Sequence, residues 1–162
     1  MSDAAKVALV TGGNRGIGLA IAKELAAQGV KVIIGHRSGT APSGFESVLI
    51  DVSDTKSVDS AVSEIDAKHG GVDILVANAG ITKDGLVMRM SDDDFESVVN
   101  TNLTGAFRVA RATSKNMMKK REGRIIFIGS VVGLLGSAGQ VNYSATKSGL
   151  VGMARSFARE LG

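Results

Sequence analysis

A doubly wound, parallel α/β sheet is the fold class this sequence predicts, and three observations predict it. Short apolar, β-branched runs recur along the 162 residues and alternate with stretches of helical periodicity. The first run leads straight into a glycine-rich turn that opens a helix. Small residues gather after the later runs, where open α/β sheets form their ligand crevices.

Lys6 to Val10 reads as the first strand. Thr11-Gly12-Gly13-Asn14-Arg15-Gly16-Ile17-Gly18 follows, and apolar residues then recur at helical spacing from Ile17 to Ala27 until Gly29 stops the helix. Val30 to Ile34 reads as a second buried strand. This strand, turn, helix, strand unit is the context in which a glycine-rich loop binds a pyrophosphate. Its glycines admit the phosphates to the backbone, and the helix N-terminus offers N–H groups and a positive dipole end. The spacing is Gly-x-x-x-Gly-x-Gly rather than the tighter Gly-x-Gly-x-x-Gly, and a plain flexible turn is the alternative.

Folds that prefer NAD place a carboxylate at the end of the second strand, on the ribose 2′-OH. Here that place holds Gly35-His36-Arg37-Ser38. Arg37 can pair with a 2′-phosphate instead, and Arg15 adds charge nearby, so the pattern favours NADP. A solvated loop arginine is the other reading of Arg37. Ser38 to Glu46 contains the only proline and is too short for a long helix, so this crossover is read as short or irregular. Ser47 to Ile50 makes a third strand ending at Asp51-Val52, where a side chain can reach an adenine. Asp51 can equally cap the helix from Asp54 to His69, with Ser53 competing for that role.

Val72 to Ala77 reads as a fourth strand, followed by Asn78-Ala79-Gly80, either a crevice wall or a simple turn. Ser91-Asp92-Asp93-Asp94 starts a helix that runs to about Lys120. The acidic trio is read as capping rather than as a metal site, since carboxylates favour the positive end of the dipole. Asn100 and Asn102 lie inside this helix, where asparagine is a poor helix former and must bond inward or kink it. Its C-terminal end is basic through Lys115, Lys119, Lys120, Arg121 and Arg124.

Arg124 to Gly129 is the fifth strand, and Ser130 ends it. A glycine-rich segment leads to Tyr143 and Lys147, four apart at the start of a helix from Asn142 to Leu161. That spacing sets phenol and ammonium on one face. A neighbouring cation stabilises a phenolate, so Lys147 is expected to ease ionisation of Tyr143. A hydroxyl, a tuned phenol and a lysine can protonate a carbonyl oxygen while hydride reaches its carbon. A solvated helix face and a turn serine are the bland alternatives.

Composition narrows the classes. Hydrophobic residues make 44% and charged residues 22% of the chain, ordinary for a globular protein. Net charge is +3, but the basic residues form no long run and aromatics are 4%, so nucleic-acid binding is not expected. There is no cysteine, which excludes disulfides and thiolate metal sites. No signal-peptide pattern and no run long enough for a membrane span occur, so a cytoplasmic protein is expected.

The combined pattern resembles the classical short-chain dehydrogenase/reductase family. The matching residues are Thr11-Gly12-x-x-x-Gly16-x-Gly18, Asn78-Ala79-Gly80, Asn102, Ser130 and Tyr143-x-x-x-Lys147. Thr101 to Gly105 and Gly123 to Ser130 are most similar to the 3-oxoacyl-[acyl-carrier-protein] reductases, and Gly35-His36-Arg37 to their actinobacterial members. The resemblance implies NADPH-dependent reduction of a 3-oxoacyl thioester on acyl-carrier protein, in fatty acid biosynthesis. It implies catalytic roles for Asn102, Ser130, Tyr143 and Lys147. Tyr143 would donate the proton, and Lys147 would tune it and hold the nicotinamide ribose. Ser130 would bind the carbonyl oxygen, and Asn102 would hold a water linking Lys147 to solvent. Gly12, Asn14, Arg15, Gly16, Ile17 and Gly18 would cradle the NADP(H), with Arg37 on its 2′-phosphate. Asp51 and Val52 would lie at the adenine, and Asn78, Ala79 and Gly80 at the adenosine side. Arg121 resembles a position offered to the acidic carrier protein, and the last two long helices would build a dimer within a tetramer.

The chain departs from that pattern at Ala77, where the family usually has asparagine. The family pattern also continues past residue 162, so residues 1–162 are expected to be one partial, five-stranded, Rossmann-like NADP-binding domain without its C-terminal strands. A related alcohol or carbonyl dehydrogenase would share every motif above. A non-catalytic nucleotide-binding fragment is the remaining alternative.

Overall fold

The computed structural model describes residues 5–162. Strand β1, Val7–Thr11, is buried along its whole length, as its unbroken apolar run requires in a sheet covered on both faces. It is followed by α1 (Gly16–Ala27), β2 (Lys31–His36), β3 (Glu46–Leu49), α2 (Thr55–His69) and β4 (Ile74–Ala77). A 3₁₀ turn at Val87–Arg89 precedes α3 (Asp92–Val99), a π turn at Asn100–Thr104, and α4 (Gly105–Lys120). The chain then forms β5 (Arg124–Phe127), a one-turn α5 (Val132–Leu135) and α6 (Val141–Leu161).

The strands lie in the order β3-β2-β1-β4-β5, and every pairing is parallel. The chain works outward from β1 through β2 to β3, then crosses back to add β4 and β5 on the other side. The reversal falls between β1 and β4, and the crevice beyond their C-terminal ends is the ligand position of such sheets.

Alternation along the strands divides the core in two. Leu9, Ile33 and Leu75 face Val58, Val62 and Ile65 of α2 and Val109 of α4. Ala8, Val10, Ile34 and Val76 face Ala22, Leu19 and Leu25 of α1. Beyond β4 the cover thins. β5 pairs with β4 alone among the described residues, and its Ile126 is 44% exposed. A groove of about 690 Å³ opens between β5, the end of α4 and the end of α6, lined by Met117, Phe127, Phe157 and Leu161. No helix among the described residues is long and apolar enough to cross a membrane.

Several boundaries differ from the sequence expectation for local reasons. β2 runs on through Gly35 and His36, because Gly35 and His36 pair with Val48 and Leu49 of β3. Asp54, not Asp51 or Ser53, caps α2 by accepting from the amides of Lys56 and Ser57. The carboxylate of Asp51 is already taken by the amide and hydroxyl of Ser53. The expected single helix from Asp92 to Lys120 is interrupted by the π turn that contains both Asn100 and Asn102. Ser91 caps α3 by accepting from the amide of Asp94, while the Asp94 carboxylate pairs with Lys83 at 2.8 Å. The Asp94 carboxylate is thereby engaged at the helix start, where Asp92 and Asp93 share the first turn.

Candidate active site

The crevice between β1 and β4 is held open by one threonine. Thr11 Oγ1 accepts from the amides of Asn78 and Ala79, each at 3.1 Å, and donates to the Val76 carbonyl. Asn78 returns its side chain, donating from Nδ2 to the carbonyls of Thr11 at 2.9 Å and Gly12 at 3.2 Å. The two strand ends are thereby fixed to each other at the reversal of strand order.

The glycines of the first turn meet different demands. Gly12 has φ +64° and Gly16 φ +55°, conformations that cost an L side chain strain. A Cβ on Gly18 would collide with the Gly12 carbonyl oxygen and lie 2.5 Å from Asn78 Nδ2. A Cβ on Gly16 would meet nothing within 4 Å, so open space lies over the start of α1. No side chain caps α1, and no acid stands in its first turn. Free amides and the positive end of a twelve-residue helix thus face that space.

The space belongs to a cleft of about 600 Å³. Gly12, Asn14, Arg15, Gly16, Ile17 and Gly18 line one end, and Arg37, Asp51 and Val52 the other. Asn78, Ala79 and Gly80 form the wall from β4. Arg37 is exposed at the rim. Its charge reaches Asp51, whose carboxyl lies below the usual range chiefly through the Ser53 hydroxyl, with Arg37 and Arg108 adding smaller attractions. Five further residues line the cleft that motif reading passed over: His36, Ser38, Ile50, Ile81 and Thr101. His36 is 7% exposed, and its Nδ1 finds no hydrogen-bond partner among the described residues. Arg108 supports the Asp51–Val52 end from behind, donating to the Val52 carbonyl, Asn100 Oδ1 and Thr55 Oγ1. An open helix start, an unpartnered buried imidazole and a basic rim fit a phosphate-bearing dinucleotide.

Ser130, Tyr143 and Lys147 lie outside the lining of that cleft, after β5 and on α6. Lys147 is buried, and its Nζ donates to the Ile128 carbonyl at 2.6 Å. The same Nζ stands 5.5 Å from the centroid of the half-buried Tyr143 ring. Burial pushes the Lys147 ammonium below its ordinary pKa, since a charge loses hydration there. Ser130 Oγ accepts from the amide of Val132 and starts α5. α5 packs closely on α6, and a Cβ on Gly133 would come 2.8 Å from the main chain of Lys147.

Asn102, in the π turn, faces the loop after β4. Its Oδ1 accepts from the Ile81 amide at 2.8 Å, and its Nδ2 donates to the Ile81 carbonyl at 2.9 Å. The carboxamide is therefore spent on the loop after β4, next to the cleft. The neighbouring Leu103 reaches α6 instead, where Gly149 leaves it room. Arg121 lies far along the chain, exposed at the C-cap of α4 with φ +56°, beside the groove at β5.

The family model described as short chain dehydrogenase matches residues 6–162. The 3-oxoacyl-[acyl-carrier-protein] reductase MabA of Mycobacterium avium is 55% identical over 153 residues, covering 94% of this chain and 60% of the relative. MabA of Mycobacterium tuberculosis strain H37Rv is 54% identical over 153 residues, covering 94% and 62%. The 3-oxoacyl-[acyl-carrier-protein] reductase FabG of Escherichia coli K12 is 47% identical over 172 residues, covering 99% and 69%. The chain thus spans about 60% of the length of the mycobacterial relatives it matches.

Proposed function

This chain belongs to the short-chain dehydrogenase family, and from that premise we propose that it carries the cofactor-binding and proton-donating part of an NADPH-dependent 3-oxoacyl-[acyl-carrier-protein] reductase. The observation that carries this reading is the Tyr143–Lys147 pair on one face of α6, tied through Asn142 and the Lys83 carbonyl to the loop whose Ile81 lines a dinucleotide-sized cleft. The names of the relatives quoted above support the substrate class.

NADPH, when bound, supplies a hydride to the carbonyl carbon. The chain's own residues handle the other half of the reaction. Tyr143 holds a proton on its phenol oxygen and gives it to the carbonyl oxygen, so ketone, hydride and proton balance as a secondary alcohol. Ser130 donates a hydrogen bond to the same oxygen and helps it bear charge. Lys147, held by the Ile128 carbonyl, keeps a cation beside the phenol and stabilises it as the proton leaves. Gly12 to Gly18 receive the pyrophosphate at the start of α1, and Arg37 with Arg15 takes the 2′-phosphate. The absence of a carboxylate at the end of β2 supports NADP over NAD.

The reading extends to partners. Exposed Arg121 beside Lys119 and Lys120 offers a basic surface to an acidic carrier protein. A homo-oligomer, dimer or tetramer, and a cytoplasmic setting go with the same assignment. Nucleic acid has no place in it.

The test is NADPH oxidation by the purified chain with an acetoacetyl thioester, with cofactor binding followed by nucleotide fluorescence. Turnover that Tyr143→Phe abolishes while NADPH still binds is the expected result. Turnover that survives Tyr143→Phe would remove the proton-donor assignment. Binding without turnover in the unaltered chain would leave it a nucleotide-binding module.

A further inference from the structure

Tyr143 sits in the first turn of α6, and nothing caps that turn from outside the helix. The N-cap residue, Gln140, makes no side-chain capping bond. Instead the amide of Tyr143 donates to Oδ1 of its own neighbour, Asn142, at 2.7 Å. Asn142 is fully buried, and its Nδ2 donates at 2.9 Å to the carbonyl of Lys83, in the loop after β4. Two more contacts join the same pair of segments. The Gly85 amide donates to the Gly139 carbonyl at 2.8 Å, and Gln140 Nε2 donates to Asp84 at 3.0 Å. Lys83, Asp84 and Gly85 are thus matched in reverse order by Asn142, Gln140 and Gly139.

The other end of that loop is fixed as well. Ile81, two residues before Lys83, lines the cofactor cleft and is gripped by Asn102 at both main-chain groups. One short segment therefore runs from the cleft wall to the backbone of the tyrosine. Lys147 Nζ stands over the Tyr143 ring, but at the end of a flexible side chain bonded to the Ile128 carbonyl. The backbone register of Tyr143 against the cleft is set by the carboxamide of Asn142.

We propose that Asn142 is a positioning residue for Tyr143, clamping the first turn of α6 to the Lys83–Gly85 loop so that the phenol faces the cofactor cleft in one orientation. This rests on the reading of Tyr143 as the proton donor. It assigns a role to a fully buried residue outside the lining of the cleft.

Tyr143 is the only tyrosine, and the chain has no tryptophan, so the near-ultraviolet circular dichroism of tyrosine reports this one ring. Asn142→Asp keeps the shape and the acceptor for the Tyr143 amide, but sets a carboxylate against the Lys83 carbonyl. The expected result is a tyrosine band reduced to about half or less, with the far-ultraviolet spectrum kept and the NADPH Kd changed by less than about twofold. Gln140→Ala, which removes only an exposed contact, is expected to lower the band by a smaller amount. If Asn142→Asp fails to fold, Asn142→Ser, which removes the bond to the Lys83 carbonyl with a smaller side chain and no charge, takes its place.

A band of wild-type size in every folded variant would overturn the clamp. So would an NADPH affinity that falls tenfold or more together with the band, since Asn142 would then support the whole cleft rather than the tyrosine. Failure of the unaltered chain to bind NADPH would count against the proposed function. The comparison of tyrosine bands would still decide the role of Asn142.

Discussion

On the proposed assignment of NADPH, removing Arg37 should take away most of the selectivity for the 2′-phosphate. Arg37 is exposed at the rim of the cleft, on the residue after β2. No carboxylate stands at the end of that strand to hold a ribose 2′-OH. A guanidinium on a phosphate at such an exposed place contributes about 1–2 kcal/mol, or roughly 5- to 30-fold in affinity. The loss should fall near the upper end, because Asp51 shares the rim. Its carboxyl is held ionised chiefly by the Ser53 hydroxyl, with Arg37 assisting. Arg37→Ala leaves that anion close to the 2′-phosphate without its counter-charge. The assay is nucleotide fluorescence titration with NADPH and NADH on the 162-residue chain, at low and moderate salt. The NADPH Kd should rise about 10- to 30-fold and its salt dependence should flatten, while the NADH Kd moves less than about twofold. Equal weakening of both cofactors would show that Arg37 shapes the cleft rather than reads the phosphate. No weakening of either would move the phosphate contact to Arg15, and Arg15→Ala would then show the selective loss.

Two further outcomes follow from the geometry. Gly18→Ala should destabilise the chain by about 1–3 kcal/mol, read as a lowered melting temperature. It should also weaken NADPH binding tenfold or more, because the new methyl meets the Gly12 carbonyl and Asn78 Nδ2. Gly16→Ala meets open space and costs only the strain of its positive φ, about 1 kcal/mol, so a larger effect at Gly16 than at Gly18 would contradict the packing account. Glu46 accepts from Lys68 at 2.6 Å, His69 at 2.9 Å and Lys31 at 3.1 Å, and these partners, Lys68 foremost, hold its carboxyl down to about 2. A depressed carboxyl stabilises the fold above its ordinary value of 4.5 and loses that contribution as pH falls toward about 2. Urea melts should therefore show Glu46→Gln less stable at neutral pH, with the gap closing over that acid range. A gap that stays constant would mean the cations do not sense the charge of Glu46.

The parts of this fold that sequence exposed were those whose period belongs to a single element. β1, β4 and the apolar face of α2 are continuous patterns of one kind, and each lies within one or two residues of where its pattern sets it, β4 starting at Ile74 rather than Val72. What stayed hidden depends on a second segment. His36 looked like loop because β2 stops reading as apolar at Gly35, yet β3 extends the strand by pairing with both residues. α5 is a single turn, Val-Gly-Leu-Leu, too short to show any helical period. The π turn had a local trace, two asparagines in a helix interior. Its cause is distant, since Asn102 turns inward to satisfy the main chain of Ile81, 21 residues earlier.

The same division runs through the site. The glycine turn and the Tyr143–Lys147 pair are legible because each is a local pattern, Gly12 to Gly18 in one turn and Tyr143 to Lys147 on one helix. Their relation to each other is not. The glycines meet Asn78 through Thr11, Asn78 leads to Ile81, Asn102 holds Ile81, and Lys83 meets Asn142. Apart from the short run of chain from Asn78 to Ile81, those links join segments more than twenty residues apart, and most end on a main-chain group that carries no side-chain identity for a motif to display. Asn142 therefore reads as an unremarked residue beside a tyrosine. Only its burial and its reach to Lys83 show it as the last link between cleft and phenol. A side chain that binds backbone at both ends leaves no partner residue in the sequence by which it could have been found.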